Sequence, residues 1–379
     1  MKTRRLLTAS AIAACALQIS TRLDAAPFQY TVTDLGLAGQ VRGSATGINA
    51  SGQVVGYVSP DTRVRVIQNN YQSIVWTLAS PSVLNGLGGT DNVAYAINDS
   101  GQVTGYDRIA GDTGSTFHAV RVTGAIVQDL GTLGGTFSNG NAINASGQIA
   151  GSSYTAGDNA THAVRWTGTV ATDLGTLGGV NSYGRGINAS GQVAGYSSLF
   201  GSSYTHAVRW IGTTATDLGT LGGLYSYGYG INASGQVVGA SAITDNSATH
   251  ATLWTGTTAL DLGTLGELHS VAYDINSLGD ILGAATSGFT VYRPFLYTGG
   301  TMYDLMSLLA PGSGVTDIQI DENGGNSLND SRQIAATGVF AGERHIIRLT
   351  PVAVPEPTAS LLTLGAGTMW AFRRKRAAA

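Results

Sequence analysis

The sequence predicts an all-β protein built from repeated four-stranded units, and three observations support this prediction. A six-residue phrase, first seen as Ile48–Gln53, returns six more times along the chain. Glycine makes up 54 of the 379 residues and recurs at fixed places in the repeat, as turn residues do. The body of the chain lacks a helical hydrophobic period of useful length. The seven phrases begin at Ile48, Ile97, Ile143, Ile187, Ile231, Ile275 and Leu328, with steps of 49, 46, 44, 44, 44 and 53 residues.

Residues 183–223 show how one unit is organised. Two short, partly apolar runs flank the turn residues Ala189, Ser190 and Gly191, which is the pattern of a β-hairpin. The next run, 206–210, alternates as a half-buried strand does, and a fourth short strand follows at 215–218. Four short strands in about 44 residues are typical of one blade of a β-propeller.

The order of strands at the two ends of the repeat region predicts a closed ring. Each unit should end in an Asp-Leu-Gly strand, but the first such strand, Tyr30–Leu35, precedes the first hairpin, and none follows Arg344–Arg348. Sharing one blade between the two ends removes a free sheet edge, and a linear solenoid has no reason to split a repeat in this way. We therefore predict a seven-bladed β-propeller of four-stranded blades over residues 28–351, with the last blade completed by the N-terminal strand.

Residues 1–26 have the pattern of a secretory signal peptide. Basic residues precede the apolar run Leu6–Leu17, and a small-residue stretch follows it. The single cysteine, Cys15, ends a segment that resembles a lipobox, so lipoprotein processing is the alternative. The body contains no cysteine, which excludes disulfides and thiol chemistry there.

Residues 352–379 have three parts: a Pro-Glu-Pro motif, the apolar segment 358–372 and a basic tail. The apolar segment is shorter than the ~20 residues of a stable membrane span, and the basic tail would stay on the cytoplasmic side. This end resembles the PEP-CTERM sorting signal of Gram-negative bacteria. The resemblance implies transient membrane association, processing by an exosortase and delivery to the outer cell surface or an exopolysaccharide matrix; an ordinary membrane anchor is the alternative. The signal residues are Pro355, Glu356, Pro357, Arg373, Arg374, Lys375 and Arg376.

The charge distribution argues against a nucleic-acid partner. Segments 1–26 and 355–379 together hold eight of the 20 basic residues and two of the 23 acidic residues. The body between them is therefore acidic, and it contains no lysine. Since phosphate contacts need clustered lysine and arginine, we expect no nucleic acid to bind.

Histidine and aspartate recur in the units and could suggest metal or catalytic sites. In a ring, however, equivalent histidines lie one blade apart and cannot converge on one ion. An aspartate before Leu-Gly is a natural side-chain-to-backbone turn former. We therefore assign both series a structural role and predict no catalytic residue and no cofactor. The residues are His118, His162, His206, His250, Asp129, Asp173, Asp217 and Asp261.

One acidic, glycine-bearing loop breaks the repeat inside its longest step. It contains Asp321, Glu322 and Asn323. Oxygen ligands in such loops hold hard cations, although the spacing here does not match an EF-hand. The loop is therefore a weak calcium candidate.

The units resemble HAF repeats, which are named for a His-Ala-Phe strand and occur in extracellular bacterial proteins. This chain has valine where the family name has phenylalanine, except at Phe295 in the sixth unit. The resemblance covers nearly all of the body. It implies a secreted repeat protein and brings no assigned chemistry.

The most variable segments connect the hairpin to the His-Ala-Val strand, and in a propeller they fall on one face. Loops on a rigid scaffold commonly carry recognition. We therefore predict an exported, non-enzymatic binding or scaffold module that holds a glycan or a surface protein on this face. A polysaccharide-acting enzyme using the same face is the alternative, and a purely structural matrix component is a third.

Overall fold

The computed structural model shows an all-β chain. It contains 28 strands and two short 3₁₀ turns, Ala156–Asp158 and Leu305–Leu308, in the residues it describes. Within those residues no helix has the length and apolar character needed to cross a membrane. The described residues are 28–60, 70–78, 80–111, 116–287, 292–322 and 326–354.

The strands pair in antiparallel sets of four. Five sheets have four strands, and an eight-stranded sheet consists of two such sets joined by the residue pair Phe117–Phe137. The chain begins with β1 (Phe28–Gly36). Sets 1 to 3 are β2 (Arg42–Ile48), β3 (Val54–Ser59), β4 (Gln72–Thr77) and β5 (Ser80–Val83); β6 (Gly88–Ile97), β7 (Val103–Ile109), β8 (Phe117–Thr123) and β9 (Ile126–Asp129); and β10 (Gly134–Ile143), β11 (Ile149–Thr155), β12 (Thr161–Thr167) and β13 (Val170–Asp173).

The later sets repeat this order, and the last one recruits the strand that opens the chain. Sets 4 to 6 are β14 (Gly178–Ile187), β15 (Val193–Leu199), β16 (Thr205–Ile211) and β17 (Thr214–Asp217); β18 (Gly222–Ile231), β19 (Val237–Ile243), β20 (Thr249–Thr255) and β21 (Thr258–Asp261); and β22 (His269–Ile275), β23 (Ile281–Thr286), β24 (Tyr292–Thr298) and β25 (Thr301–Asp304). Set 7 is β26 (Val315–Gln319), β27 (Ile334–Phe340), β28 (Glu343–Ala353) and β1.

The hydrophobic core lies between consecutive sets. Between sets 3 and 4, for example, the small residues Ala142 and Ala163 of set 3 pack against the large residues Val208 and Trp210 of set 4. The Trp210 side chain is fully buried, and a buried large apolar side chain stabilises the fold by about 1.5–3 kcal/mol. Because every set needs a neighbour on both faces, the packing itself favours a closed ring.

The repeated phrase folds into a turn whose asparagine uses all of its hydrogen-bonding capacity. In set 4, Oδ1 of Asn188 accepts from the backbone N–H of Gln192 at 3.0 Å and from Oγ of Ser190 at 2.9 Å. Its Nδ2 donates to Oε1 of Gln192 at 3.0 Å and to the backbone carbonyl of Asn232 in set 5 at 3.1 Å. Gly191 adopts φ +76°, which only glycine adopts at little cost.

The bond from an asparagine amide to the next set's carbonyl recurs around the ring. It also joins the last set to the first, where Nδ2 of Asn329 donates to the carbonyl of Asn49 at 2.9 Å. The backbone N–H of Ile48 adds a 2.7 Å bond to the carbonyl of Asn326. The sets therefore close on themselves as a propeller. In the described part of the chain, the donors of this bond are Asn49, Asn98, Asn144, Asn188, Asn276 and Asn329.

The N-terminal strand is the outermost strand of set 7. Its register with β28 runs from the Cα pair Phe28–Ala353 to the pair Asp34–Ile347. The predicted all-β propeller fold, with its last blade completed by the N-terminal strand, is confirmed.

Candidate functional site

The ring has two different faces. The turn face carries the repeated Asn-Ser-Gly turns, and the opposite loop face carries the variable connections. A cavity of about 220 Å³ on the turn face is bordered by the asparagines of all seven repeats. Since most of these amides are bound from set to set, we interpret this cavity as part of the scaffold.

A larger cavity opens on the loop face between sets 7 and 1. Its volume is about 790 Å³, within the range of about 300–1,000 Å³ that small-molecule sites occupy. Its wall combines aromatic, hydroxyl, acidic and basic side chains. The polar and aromatic lining residues include Arg42, Ser44, Tyr57, Tyr71, Asp321, Glu322, Glu343 and Arg344.

This cavity lies where the regular repeat breaks. In set 4, three residues separate Tyr183, which pairs with the second strand, from Ile187, which opens the repeated phrase. In set 7, eight residues separate the equivalent Gln319 and Leu328. The innermost strand of set 7 therefore leaves its partner after Gln319, and the extra residues form an insertion beginning at Ile320.

A glycine-to-alanine difference accompanies this break. Gly195 in set 4 faces the inner strand so closely that a Cβ atom there would lie 1.8 Å from the carbonyl oxygen of Tyr183. Set 7 has Ala336 at this position, and its ladder ends one pair earlier, at Gln319–Thr337. The departure of the inner strand leaves room for the alanine methyl group.

The first three residues of the insertion, 320–322, are held by side chains of three different sets. The phenol oxygen of Tyr292 accepts from the backbone N–H of Ile320 at 3.1 Å and donates to its carbonyl at 3.0 Å. Oδ2 of Asp321 accepts from Oγ of Ser44 at 2.6 Å and from the phenol of Tyr57 at 3.3 Å. These contacts fix the acidic residue against set 1.

The third contact crosses the ring. Nη2 of Arg185 in set 4 donates to the backbone carbonyl of Glu322 in set 7 at 2.9 Å. Two sets separate these residues on one side of the ring and three on the other, so the insertion reaches into the central channel. The Arg185 guanidinium also lies 5.4 Å from the ring centre of Tyr229, a cation–π distance.

Two tyrosines form the aromatic part of the cavity wall. The ring centres of Tyr57 and Tyr71 are 5.0 Å apart in an edge-to-face arrangement, a favoured geometry for an aromatic pair. Burial, and next the negative charge of Asp321, raise the pKa of Tyr57 above its usual range. Tyr57 therefore stays a neutral phenol that donates a hydrogen bond to the carboxylate.

The structure places Asp321 and Glu322 on this cavity, while Asn323 lies outside the described residues. Among the residues that the structure does describe, no three or more histidine, cysteine, aspartate or glutamate side chains form a group that could hold a metal ion. The contacts of Asp321 shown above are with hydroxyl groups. The described part of the loop therefore adds no further metal ligand in support of the calcium hypothesis.

The periodic histidines and aspartates meet each other within their own sets. Nδ1 of each histidine lies 2.8–2.9 Å from a carboxylate oxygen of the aspartate eleven residues later. The aspartate also accepts from the N–H of the glycine two residues on, for example Gly219 on Asp217 at 2.8 Å. The arrangement fastens the third and fourth strands of a set. The pairs are His118–Asp129, His162–Asp173, His206–Asp217 and His250–Asp261.

Sequence reasoning did not identify the tyrosines or Arg185 as site residues. A comparison of the repeats at the position of Arg185 contains the signal. The two neighbouring positions hold only glycine or alanine in sets 1 to 6, apart from Asp274, whereas this position changes in size and charge: it is Thr46, Tyr95, Asn141, Arg185, Tyr229 and Tyr273. The sorting-signal residues Pro355, Glu356, Pro357, Arg373, Arg374, Lys375 and Arg376, and the leader 1–26, lie outside the described residues.

The fold and the cavity define a β-propeller with a ligand-sized opening on its loop face. Similar solved structures include the β-propeller domain of the Trilobed protease from Pyrococcus furiosus, at 9% identity and a TM-score of 0.49, covering 83% of this chain and 96% of that one. A putative TolB from Agrobacterium tumefaciens is also similar, at 9% identity and a TM-score of 0.40, covering 73% and 88%. Acylaminoacyl peptidase from Pyrococcus horikoshii, at 12% identity and a TM-score of 0.44, covers 69% and 45%. These similarities concern the fold alone. No family model and no curated protein matches the sequence.

Proposed function

We propose that this chain is an exported, non-enzymatic binding module of the outer cell surface or an extracellular matrix, and that it holds a glycan or protein ligand on its loop face. One observation carries the binding role: the inner strand of set 7 admits extra residues before the repeated phrase, where set 4 has only three, and Ile320, Asp321 and Glu322 of this insertion line a cavity of ligand size. Rigid scaffolds commonly present recognition residues in such irregular segments. The module needs no cofactor for this role.

The proposed export follows from the two ends of the chain. The leader pattern of residues 1–26 and the Pro-Glu-Pro, apolar and basic pattern of residues 355–379 support secretion and exosortase processing. Intact-mass analysis of the protein recovered from the cell exterior tests this. We expect loss of the leader and of the basic tail, whereas a full-length protein that stays in the cytoplasm would contradict the proposal.

Binding is tested with the purified body on arrays of glycans and of surface proteins. We expect saturable binding without turnover. Glu343→Arg reverses a charge on the cavity wall and should change the affinity, whereas Thr213→Arg adds a charge on the turn face and should not. Equal effects of the two substitutions would argue against a loop-face site.

The cavity also supports a second candidate, a polysaccharide-acting enzyme. Carboxyl groups of Asp321, Glu322 and Glu343 border the same cavity, and glycosidases work with two carboxyl groups about 5–10 Å apart. Such an enzyme releases reducing ends from an exopolysaccharide, and Asp321→Asn or Glu322→Gln should abolish the release. Binding of the polysaccharide without release supports the module instead.

A further inference from the structure

The loop-face cavity combines features that suit one ligand class. A sugar unit has an apolar C–H face and a rim of hydroxyl groups, so a site for it needs an aromatic surface beside fixed hydrogen-bonding groups. Here Tyr57 and Tyr71 form an aromatic pair on the wall, and Asp321 is positioned by Ser44 and Tyr57. We propose that this cavity is a carbohydrate site for an oligosaccharide segment of an extracellular polysaccharide, an inference that rests on the proposed binding function.

The charges of the wall favour a ligand without strong charge. The cavity wall carries the two guanidinium groups of Arg42 and Arg344 and the three carboxylates of Asp321, Glu322 and Glu343. A polyanion would meet three carboxylates and a polycation two guanidinium groups, whereas a hydroxyl-rich ligand can use both as hydrogen-bond partners. Neutral oligosaccharides should therefore bind more tightly than polyuronates of the same length.

The site is also pre-organised. Residues 320–322, which include Asp321 and Glu322, are bound to sets 1, 4 and 6 through Ser44, Arg185 and Tyr292. Ordering a loop on binding costs affinity, and a loop that is already held in place avoids this cost. Ligands that interact weakly, such as neutral sugars, depend on a site that loses no affinity to loop ordering.

The test measures binding of the exported protein to an array of neutral and uronic-acid oligosaccharides, followed by calorimetry with the best neutral ligand. Tyr71→Ala removes an aromatic face and should lower the affinity about tenfold or more, as loss of a stacking ring does. Tyr71→Phe keeps the ring and should stay within about threefold. Tyr204→Ala, on an exposed loop of set 4, is the matched control and should leave the affinity unchanged. Thermal melts of all variants check that each is folded.

The possible outcomes test the carbohydrate site and the broader binding function separately. Loss of binding in Tyr71→Ala alone supports the carbohydrate site. Unchanged binding in folded Tyr71→Ala overturns this site and leaves the proposed binding function standing. Binding to surface proteins but to no oligosaccharide overturns the carbohydrate inference only. Absence of binding to either class overturns both.

Discussion

Asp34 and His345 lie 311 positions apart in the sequence, and Nδ1 of the histidine meets Oδ2 of the aspartate at 2.7 Å. The same pair forms inside set 4, where His206 and Asp217 are eleven residues apart and 2.9 Å from each other. The two ends of the repeat region therefore reproduce, between β28 and β1, the fastening that other sets make between consecutive strands.

A circular permutant should keep the fold. Phe28 and Ala353 are Cα partners, so a short Asn-Gly turn can join them, with new ends between β1 and β2 near Gln40. We expect a melting temperature within a few degrees of the parent and the same compact scattering profile. Deleting residues 28–36 instead exposes the edge of β28 and removes three buried apolar side chains, which should cost about 5 kcal/mol or more and promote self-association. A permutant as unstable as the deletion would contradict the closure.

The asparagine of the repeated turn should contribute far more to stability than the serine beside it. Asn188→Ala leaves the half-buried N–H of Gln192 and the buried carbonyl of Asn232 without their side-chain partner, and we expect a loss of about 2–4 kcal/mol in the free energy of unfolding. Ser190→Ala removes one bond and should cost about 1 kcal/mol. Urea titration measures both, with the exposed Asn159→Ala as a control near zero; equal losses at Asn188 and Ser190 would show that the link between sets is unimportant.

The glycine that faces the inner strand should not tolerate a methyl group. Gly195→Ala places Cβ 1.8 Å from the carbonyl oxygen of Tyr183, so strands β14 and β15 must separate, at a cost of about 3 kcal/mol or more. Gly212→Ala is the matched control, because φ there is +64° but nothing lies within 4 Å, and only the left-handed backbone cost of about 1–2 kcal/mol remains. Thermal unfolding of the two variants measures the difference. Similar melting temperatures would contradict the close approach.

Stability should fall as the pH rises from about 4 to about 7 because of Asp274. Burial raises the pKa of this carboxyl from 3.8 to about 7, against the opposing effect of backbone N–H groups of Leu328 and Ile275. The folded state therefore holds a proton that the unfolded chain releases near pH 4, so the stabilising effect of protonation is lost as the pH approaches 7. Asp274→Asn should flatten the pH dependence of the free energy of unfolding in this window; an unchanged slope would contradict it.

Asp107 offers a second variant for the same measurement. Burial raises its pKa to about 6, and its Oδ2 accepts the backbone N–H of Leu87. Serine occupies the equivalent position in sets 3 to 5, where Oγ of Ser197 accepts from the N–H of Leu177 at 2.8 Å. Asp107→Ser should therefore keep the fold and remove the part of the pH dependence between about pH 4 and pH 6.

The periodic features of the fold could be predicted because the same residue types recur at equivalent positions of successive repeats. The turn of Asn188, the buried face of Trp210 and the strand that ends in Asp217 occur in several units, and each has an equivalent partner one set away. The eleven-residue spacing of His206 and Asp217 was also visible in the sequence. The spacing alone does not pair the two residues, because they lie on different strands and meet only when β16 and β17 align in register.

The amino-acid sequence alone determines the repeated unit, the all-β fold and the pairing of the first strand with the last, because these depend on contacts within a set or between neighbouring sets. The cavity depends on the closed ring. Ser44 meets Asp321 across 277 positions, and Arg185 meets Glu322 across the channel. No period relates these residues. They come together because the inner strand of set 7 leaves its ladder after Gln319 and turns toward the axis, where curvature brings distant sets within reach of one another.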